Sequence, residues 1–168
     1  EFGRVDRVDE ASGVVTLIAR QLPADPTASA GMLVSSSITT PEGSFVSRSR
    51  YDGLGRLVRT EAPGTATPPE TLYVDQRYDH AGRLHETTLP SAKPPDAQTR
   101  FTRFEFDAVG RRTRLVDFDG ITQYRTRYPP LARIDEVYSG AQRQSYEHRD
   151  LDGQGRVAWL ETFEDASG

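Results

Sequence analysis

The sequence predicts an all-β fold in which successive antiparallel hairpins form a single wide, curled sheet. Three observations lead to this prediction. A short turn motif recurs along the chain, segments of strand length lie between its copies, and apolar residues are scarce. Together these features favour a sheet built by repetition over a helical bundle or a two-layer sandwich.

The composition is unfavourable for a deep core. The chain has 168 residues, of which 35% are hydrophobic and 27% are charged. A bundle or sandwich of this length normally carries more apolar residues. The 14 glycines and 11 prolines also argue against long helices. We therefore treat residues 1–168 as one shallow repeat segment that belongs to a larger protein.

The repeated element is the pair Gly-Arg, which occurs five times, at positions 3–4, 55–56, 82–83, 110–111 and 155–156. In the four complete copies an Asp lies three residues before the Gly, and an aromatic or large apolar residue precedes that Asp. The motif is [YFL]-D-x-x-G-R, and its positions are Tyr51, Asp52, Gly55, Arg56, Tyr78, Asp79, Gly82, Arg83, Phe106, Asp107, Gly110, Arg111, Leu151, Asp152, Gly155 and Arg156. The N-terminus cuts through the copy at 3–4, so we expect the chain to be a fragment of a longer array.

Each motif position has a physical role in a hairpin tip. Asp at the first corner of a type I turn accepts hydrogen bonds from the backbone N–H groups of that turn. Gly three residues later takes the positive φ that closes a hairpin with a bulge. The aromatic residue ends the incoming strand, where it covers a neighbouring strand. Arg starts the outgoing strand, and we predict that its guanidinium bridges to the Asp or stacks on a ring of an adjacent repeat.

The segments between the tips have strand character. They are rich in β-branched and aromatic residues, and turn signals or proline-bearing loops separate them. We expect about a dozen strands and no helix, with strands over 13–21, 32–40, 44–52, 71–79, 99–107, 121–128 and 156–163.

The apolar residues that follow the motif Gly stand at both even and odd offsets from it. Two residues after it stand Leu57, Leu84 and Val157, and five residues after it stand Leu115 and Leu160. These positions point to opposite faces of a regular strand. Either both faces of the sheet are partly apolar, or a bulge after the turn exchanges them.

Charge and hydropathy exclude several classes of function. The formal net charge is −4 and the charges are interspersed, so no basic stripe indicates a nucleic-acid partner. The chain has no Cys, which removes disulfides and Cys-based metal sites. No apolar run approaches the length of a membrane span.

Two acidic loops have alternate Asp residues, as calcium-binding loops do. Residues 117–120 read DFDG, and 150–155 read DLDGQG. Alternate Asp carboxylates such as Asp150 and Asp152 suit a hard cation, but a third acidic ligand and a bidentate Glu are missing. Turn capping is the favoured interpretation of both loops, and no metal or cofactor is predicted.

No residue is predicted to be catalytic. His80, His85 and His148 are dispersed along the chain, without the spacing of a metal site or a placed partner for acid–base work. The serines lack the sequence context of a nucleophile elbow. The sequence therefore predicts that the protein is not an enzyme.

The tips YDGLGR, YDHAGR, FDAVGR and LDGQGR resemble those of the Rhs/YD-repeat family. This family includes bacterial polymorphic toxins, shell components of insecticidal toxin complexes and the animal teneurins. The resemblance implies a segment of a spiral β-shell, whose wall encapsulates a C-terminal toxin or effector. It also implies a bacterial protein that is secreted or associated with the cell envelope. The expected partners are the remainder of the same repeat shell and the enclosed toxic polypeptide, with self-association through exposed edge strands as a further expectation.

Two other functions stay open at this point. The first is a teneurin-like adhesion module that binds glycans or a protein through solvent-facing aromatic side chains. The second is a hydrolase with a site between hairpins, which a deep pocket lined by His85 and carboxylates would favour. The repeats favour the shell segment over both.

Overall fold

The computed structural model describes residues 6–22, 30–41, 43–65 and 70–164, and regular structure there is entirely β. The motif copy at 3–4 lies outside the described residues. Thirteen strands are present: β1 (Arg7–Asp9), β2 (Val15–Gln21), β3 (Ala30–Thr40), β4 (Gly43–Asp52), β5 (Leu57–Pro63), β6 (Thr71–Tyr78), β7 (Leu84–Thr87), β8 (Thr102–Phe106), β9 (Arg112–Val116), β10 (Thr122–Arg127), β11 (Ala132–Ser139), β12 (Gln142–Leu151) and β13 (Val157–Glu164). Within these ranges, no helix has the length and apolar character that crossing a membrane requires.

The strands follow one another across the sheet in the order in which they occur in the chain. Each pairing is antiparallel, from β1 with β2 to β5 with β6, and from β7 with β8 to β12 with β13. The prediction of successive antiparallel hairpins in a single sheet is confirmed. It holds because each turn returns the chain beside the strand that it has just left.

The chain divides into two compact units. The first comprises Glu1–Arg77 with Pro90–Gln98, and the second comprises Tyr78–Leu89 with Thr99–Gly168. In the first unit, Ser91 from the proline-bearing segment exchanges two backbone hydrogen bonds with Tyr73, at 2.8 and 3.1 Å. This segment therefore adds to the β pairing of its unit although it contributes no full strand.

Burial follows the one-layer architecture. None of the described apolar side chains is buried, and the buried residues are the polar Glu61, Thr88, Thr102 and Glu136. A single sheet has no second layer against which to pack, so its stability depends on ladder hydrogen bonds and cross-strand side-chain pairs. This is the arrangement that the low apolar content predicts.

A register shift lies beside three of the motif tips. Tyr51 pairs with Leu57 and Arg50 pairs with Arg59, so Val58 is the extra residue of a bulge. The same offset occurs between β8 and β9 and between β12 and β13. The bulge exchanges the two faces, which is one of the two alternatives that the parity of the sequence left open.

The other alternative holds as well, since both faces carry apolar side chains. Phe45 and Val46 are consecutive on β4, and both are exposed. Consecutive strand residues point to opposite faces of a sheet. The sheet is therefore partly apolar on both sides, without a core on either.

Candidate functional site

The aspartate of each motif tip organises the hydrogen bonds of that tip. In the second copy, Asp79 Oδ1 accepts hydrogen bonds from the backbone N–H groups of Ala81 and Arg83, both at 2.9 Å. Asp79 Oδ2 accepts one from Nε of Arg83 at 2.8 Å. The same three bonds recur, at 2.7 to 3.0 Å, around Asp52, Asp107 and Asp152.

The motif glycine closes the turn in the left-handed region. Gly82 has φ of 80° and donates its N–H to the carbonyl oxygen of Asp79 at 3.0 Å. The N–H of Asp79 in turn donates to the carbonyl oxygen of Arg83 at 2.9 Å. Glycine reaches this φ without the Cβ penalty of other residues. The φ values are similar at Gly55, Gly110 and Gly155.

The first motif position lies at the end of the incoming strand in all four copies. Phe106 ends β8 and Leu151 ends β12, while Tyr78 ends β6 and Tyr51 is the penultimate residue of β4. Phe106 lies opposite Arg112, and Leu151 lies opposite Val157. In these two copies the first motif residue thus lies directly opposite the first residue of the outgoing strand.

The motif arginine connects its own tip to an adjacent hairpin. The guanidinium of Arg83 lies 4.8 Å from the ring centroid of Phe106, and its Nη1 donates to the carbonyl oxygen of Asp107 at 3.1 Å. The guanidinium of Arg111 lies 4.2 Å from the ring centroid of Tyr128. Arg83 and Arg111 thus contact both groups that the sequence suggested, the Asp of the same tip and a ring of a neighbouring hairpin.

Substitution of Arg83 by Ala is expected to lower the free energy of unfolding by about 1 to 2 kcal/mol, because an ion pair, a backbone hydrogen bond and a cation–π contact are lost. Arg156→Ala is the matched control. Arg156 makes the same bonds to Asp152, but its side chain is 73% exposed and it has no ring contact with any residue that the structure describes. Its loss should cost less than about 0.5 kcal/mol. Urea unfolding measures both values, and equal losses would contradict the proposed link between hairpins.

The tip contacts keep the four aspartates ionised. The pKa of Asp52, of Asp79 and of Asp152 is lowered, chiefly by the hydrogen bond from the backbone N–H of the motif arginine. At Asp107 desolvation, which raises the pKa, is outweighed by the hydrogen bonds and the charge of Arg111, so this pKa is lowered too. Hydrogen bonds to a carboxylate favour its charged form.

These shifts predict acid sensitivity. Because the pKa of each tip Asp is lower in the folded state, its contribution to stability is complete above the unfolded value of 3.8 and is lost as the pH falls through the folded values. We expect the free energy of unfolding, measured in urea from pH 6 to pH 2.5, to decline below about pH 4. The variant with Asn at 52, 79, 107 and 152 serves as the control. It should show a shallower decline, and an unchanged slope would exclude the tips as its cause.

Two further turns share the closing hydrogen bond of the motif tips. Gly13, with φ of 82°, donates to the carbonyl oxygen of Glu10 at 3.0 Å, and Gly120, with φ of 73°, donates to that of Asp117 at 2.8 Å. Both have an acidic residue three positions before the Gly. Neither Gly is followed by Arg. The turn at 117–120 was predicted as a capped loop, whereas the turn at Gly13 was not, and its signal is the acid-to-Gly spacing alone.

The aspartates of the acidic loop 150–155 and the three histidines lie in turns or contact neighbouring groups of the sheet. Asp152 is occupied by its own tip, and Asp150 lies 3.1 Å from Nε2 of His148. His85 Nδ1 lies 3.0 Å from the carbonyl oxygen of Phe104, and His80 lies in the turn of its tip. Within the described part of the chain, no group of three or more His, Cys, Asp or Glu is placed to hold a metal ion.

A second candidate site consists of arginines around buried glutamates, which the sequence analysis missed. Glu136 on β11 has a side chain that is only 5% exposed, and its Oε1 lies 3.1 Å from Nη2 of Arg127 and 3.4 Å from Nη1 of Arg143. Glu61 on β5 is similar, at 3.2 Å from Arg50 and 3.5 Å from Arg48. Each unit thus contains one nearly buried carboxylate that is held by two arginines.

In the second unit, the register between neighbouring strands places acidic and basic residues next to one another. Four residues on β8 to β11 lie directly opposite one another in succession, and we call them the charged row: Glu105, Arg114, Arg125 and Glu136. Beside the row is a cavity of about 650 Å³, whose lining includes Arg111, Arg127 and Tyr138 as well as the four residues of the row. No histidine belongs to that lining. The chemistry available here is the binding of charged groups.

The sequence carried one signal for this site. Arginines stand at alternate positions in RTR (112–114) and RTR (125–127), a spacing that indicates one face of a regular strand. It holds for Arg125 and Arg127, whereas the bulge between Arg112 and Arg114 sends these two to opposite faces. Their partners could not be inferred, because a bulge beside a tip shifts which residues lie opposite one another.

Comparison with known proteins does not assign the chain to a family. No family model matches the sequence, and no curated protein matches it. The YD-repeat relationship therefore stays a hypothesis that rests on the motif and on the geometry of its tips.

Proposed function

We propose that this chain is a non-enzymatic wall segment of a YD-repeat shell that encloses a polypeptide, such as a C-terminal toxin or effector. The observation that carries the proposal is the one-layer sheet, in which no described apolar side chain is buried. A sheet that lacks a core of its own and is partly apolar on both faces suits a wall that separates an enclosed space from solvent. The motif resemblance adds a bacterial origin and a location outside the cytoplasm.

The tips support this role because they allow the sheet to grow by repetition. Each tip completes its own hydrogen bonds, and Arg83 and Arg111 also contact the next hairpin. Each added hairpin therefore brings its own turn and an arginine contact to its neighbour, and no larger apolar core is needed. This is the property that a long wall needs.

The terminal strand supports a continuing sheet. All eight residues of β13 (Val157–Glu164) are exposed, and in the described part of the chain β13 pairs on one side only, with β12. An open strand edge presents unpaired backbone N–H and C=O groups. The proposed partner of this edge is a further strand of the same shell, and self-association of isolated chains is the alternative occupant.

Face-selective labelling tests the proposal, because the chain has no Cys of its own. Phe45→Cys and Val46→Cys place single thiols on opposite faces of β4, at side chains that are 44% and 45% exposed. In the 168-residue chain, a maleimide carrying a large polyethylene glycol chain should modify both. In the complete natural protein, with its other cysteines replaced, one position should react and the other should react only after denaturation.

Equal reaction of both positions in the complete natural protein would overturn the shell proposal. A small maleimide provides the control for thiol reactivity and should modify both positions in every case. The two variants differ by one residue and have nearly equal exposure, so a difference between them reports the face rather than the local environment.

A binding module is the second candidate, because aromatic side chains are exposed. Tyr124 is 44% exposed and Trp159 is 49% exposed. Aromatic faces in solvent are suited to stack on sugars or on a partner protein. A glycan array probed with the wild-type chain and with Trp159→Ala tests this function, and a signal that disappears in the variant would favour it over the shell.

A further inference from the structure

The charged row contains two arginines in directly opposed positions. Arg114 on β9 lies opposite Arg125 on β10. Like charges directly across a strand pair destabilise a sheet, unless other groups compensate them. The partners of these two guanidinium groups therefore decide what the row is able to bind.

The two arginines are not equally compensated. Arg114 Nη1 donates to Oε1 of Glu105 at 3.0 Å, so Arg114 has a carboxylate partner. Among the described residues, Arg125 Nη2 donates only to the neutral Oε1 of Gln123 at 3.0 Å, and that oxygen also accepts from Nε and Nη2 of Arg114, at 3.2 and 2.9 Å. One amide oxygen thus lies between two cations.

Arg125 keeps unused donor capacity. Its Nε is buried and has no hydrogen-bond partner among the described residues, while its guanidinium lies 4.3 Å from the ring centroid of Tyr138. The carboxylate across the strand, Glu136, is held by Arg127 and Arg143 instead. Tyr138 orients the Arg125 guanidinium but does not neutralise it.

The first unit provides an internal comparison. Arg50 and Arg59 also lie directly opposite each other, on β4 and β5. There each arginine has an acidic partner, because Arg50 Nε donates to Glu61 at 3.2 Å and Arg59 makes two bonds to Asp75, at 2.5 and 2.7 Å. The opposed arginines of the first unit are therefore both compensated by a carboxylate, whereas in the second unit only Arg114 is.

We propose that the cavity beside the charged row binds an oxyanion, a carboxylate or a phosphate group, through the guanidinium groups of Arg125 and Arg114. The cavity of about 650 Å³ is lined by Arg111, Arg114, Arg125 and Arg127. Its acidic lining residues are Glu105, Asp107 and Glu136, which pair with Arg114, Arg111 and Arg127, so none of the three pairs with Arg125. A guanidinium presents planar N–H donors that match two oxygens of such a group, and an anion binds them better than the Gln123 amide does.

Titration with inorganic phosphate, and separately with acetate, tests this site and distinguishes the two oxyanions. The readout is the side-chain Nε–H signal of Arg125 in a ¹⁵N-labelled chain, at neutral pH and low salt. We expect this signal to shift with saturation. The Nε–H signal of Arg114, which the wild type and Arg125→Gln share, should show binding that is about tenfold or more weaker in the variant, because a charge-assisted hydrogen bond is lost.

Two further variants keep the test decisive if Arg125→Gln disturbs folding. Gln123→Glu supplies the missing carboxylate from within the chain, so it should abolish oxyanion binding while it leaves all the arginines in place. Arg50→Gln in the first unit is the matched control and should leave the affinity unchanged. The proposal is wrong if Gln123→Glu binds as well as the wild type, or if all exposed arginine signals shift together without saturation.

Discussion

Replacement of Gly31 by Ala is expected to lower the free energy of unfolding by about 3 kcal/mol, at the upper end of the usual range for overpacking. A Cβ on Gly31 would come closer than 3.0 Å to the backbone carbonyl groups of Tyr51 and Asp52. These atoms belong to β4 where it enters its motif tip, so they cannot move aside as the end of a side chain does. The start of β3 must separate from β4 instead.

The matched control for Gly31→Ala is Gly53→Ala. A Cβ on Gly53 meets no atom within 4 Å, and Gly53 is not in the left-handed region. Both substitutions restrict the unfolded chain in the same way, so the difference between them isolates the steric conflict. Urea unfolding measures the difference, and hydrogen exchange should show lost protection along β3 in Gly31→Ala alone. Equal stability of the two variants would show that β3 and β4 do not approach each other at Gly31.

Substitution of Glu136 by Ala is expected to cost about 2 to 3 kcal/mol. Glu136 is 5% exposed, and its removal leaves Arg127 and Arg143 without their shared carboxylate. The full penalty of a broken buried ion pair does not apply, because these arginine side chains are 61% and 39% exposed and regain water. The loss should also persist in high salt, because burial limits screening.

Glu105→Ala is the control for Glu136→Ala. Glu105 lies in the same charged row and pairs with Arg114 at 3.0 Å, but its side chain is 50% exposed. Its removal should cost less than about 1 kcal/mol, and salt should reduce that cost further. Chemical unfolding at low and high ionic strength gives all four values. Similar costs for the two glutamates would mean that burial does not determine the strength of these pairs.

The hairpin tips could be predicted because their chemistry is local. Asp79, Gly82 and Arg83 satisfy one another within a single turn, and nothing distant is needed for the Gly to take φ of 80°. The strands between the tips follow from their β-branched and aromatic residues. The DFDG turn at Asp117 was predicted as well, whereas the turn at Glu10 was missed because Val14 stands where the motif has Arg.

The charged row could not be predicted, because it depends on register. Arg125 meets Arg114 and Glu136 only when β9, β10 and β11 pair with their actual offsets. A shift of one residue would send these side chains to the other face of the sheet. The bulges beside three of the tips lie at the same place relative to their motifs, but the sequence alone left open whether they were present.

Local residue order was thus enough to specify the turns, the antiparallel hairpins and the absence of a deep core, since each depends on neighbours in the chain or on composition. The choice of partners across strands was made only in the folded sheet. There, register brought Glu136 to Arg127 and Arg143 and left Arg125 with a neutral oxygen. The physical reason is that an ion pair requires two side chains to lie close together on one face of the sheet. The distance between two residues along the chain does not determine whether they do.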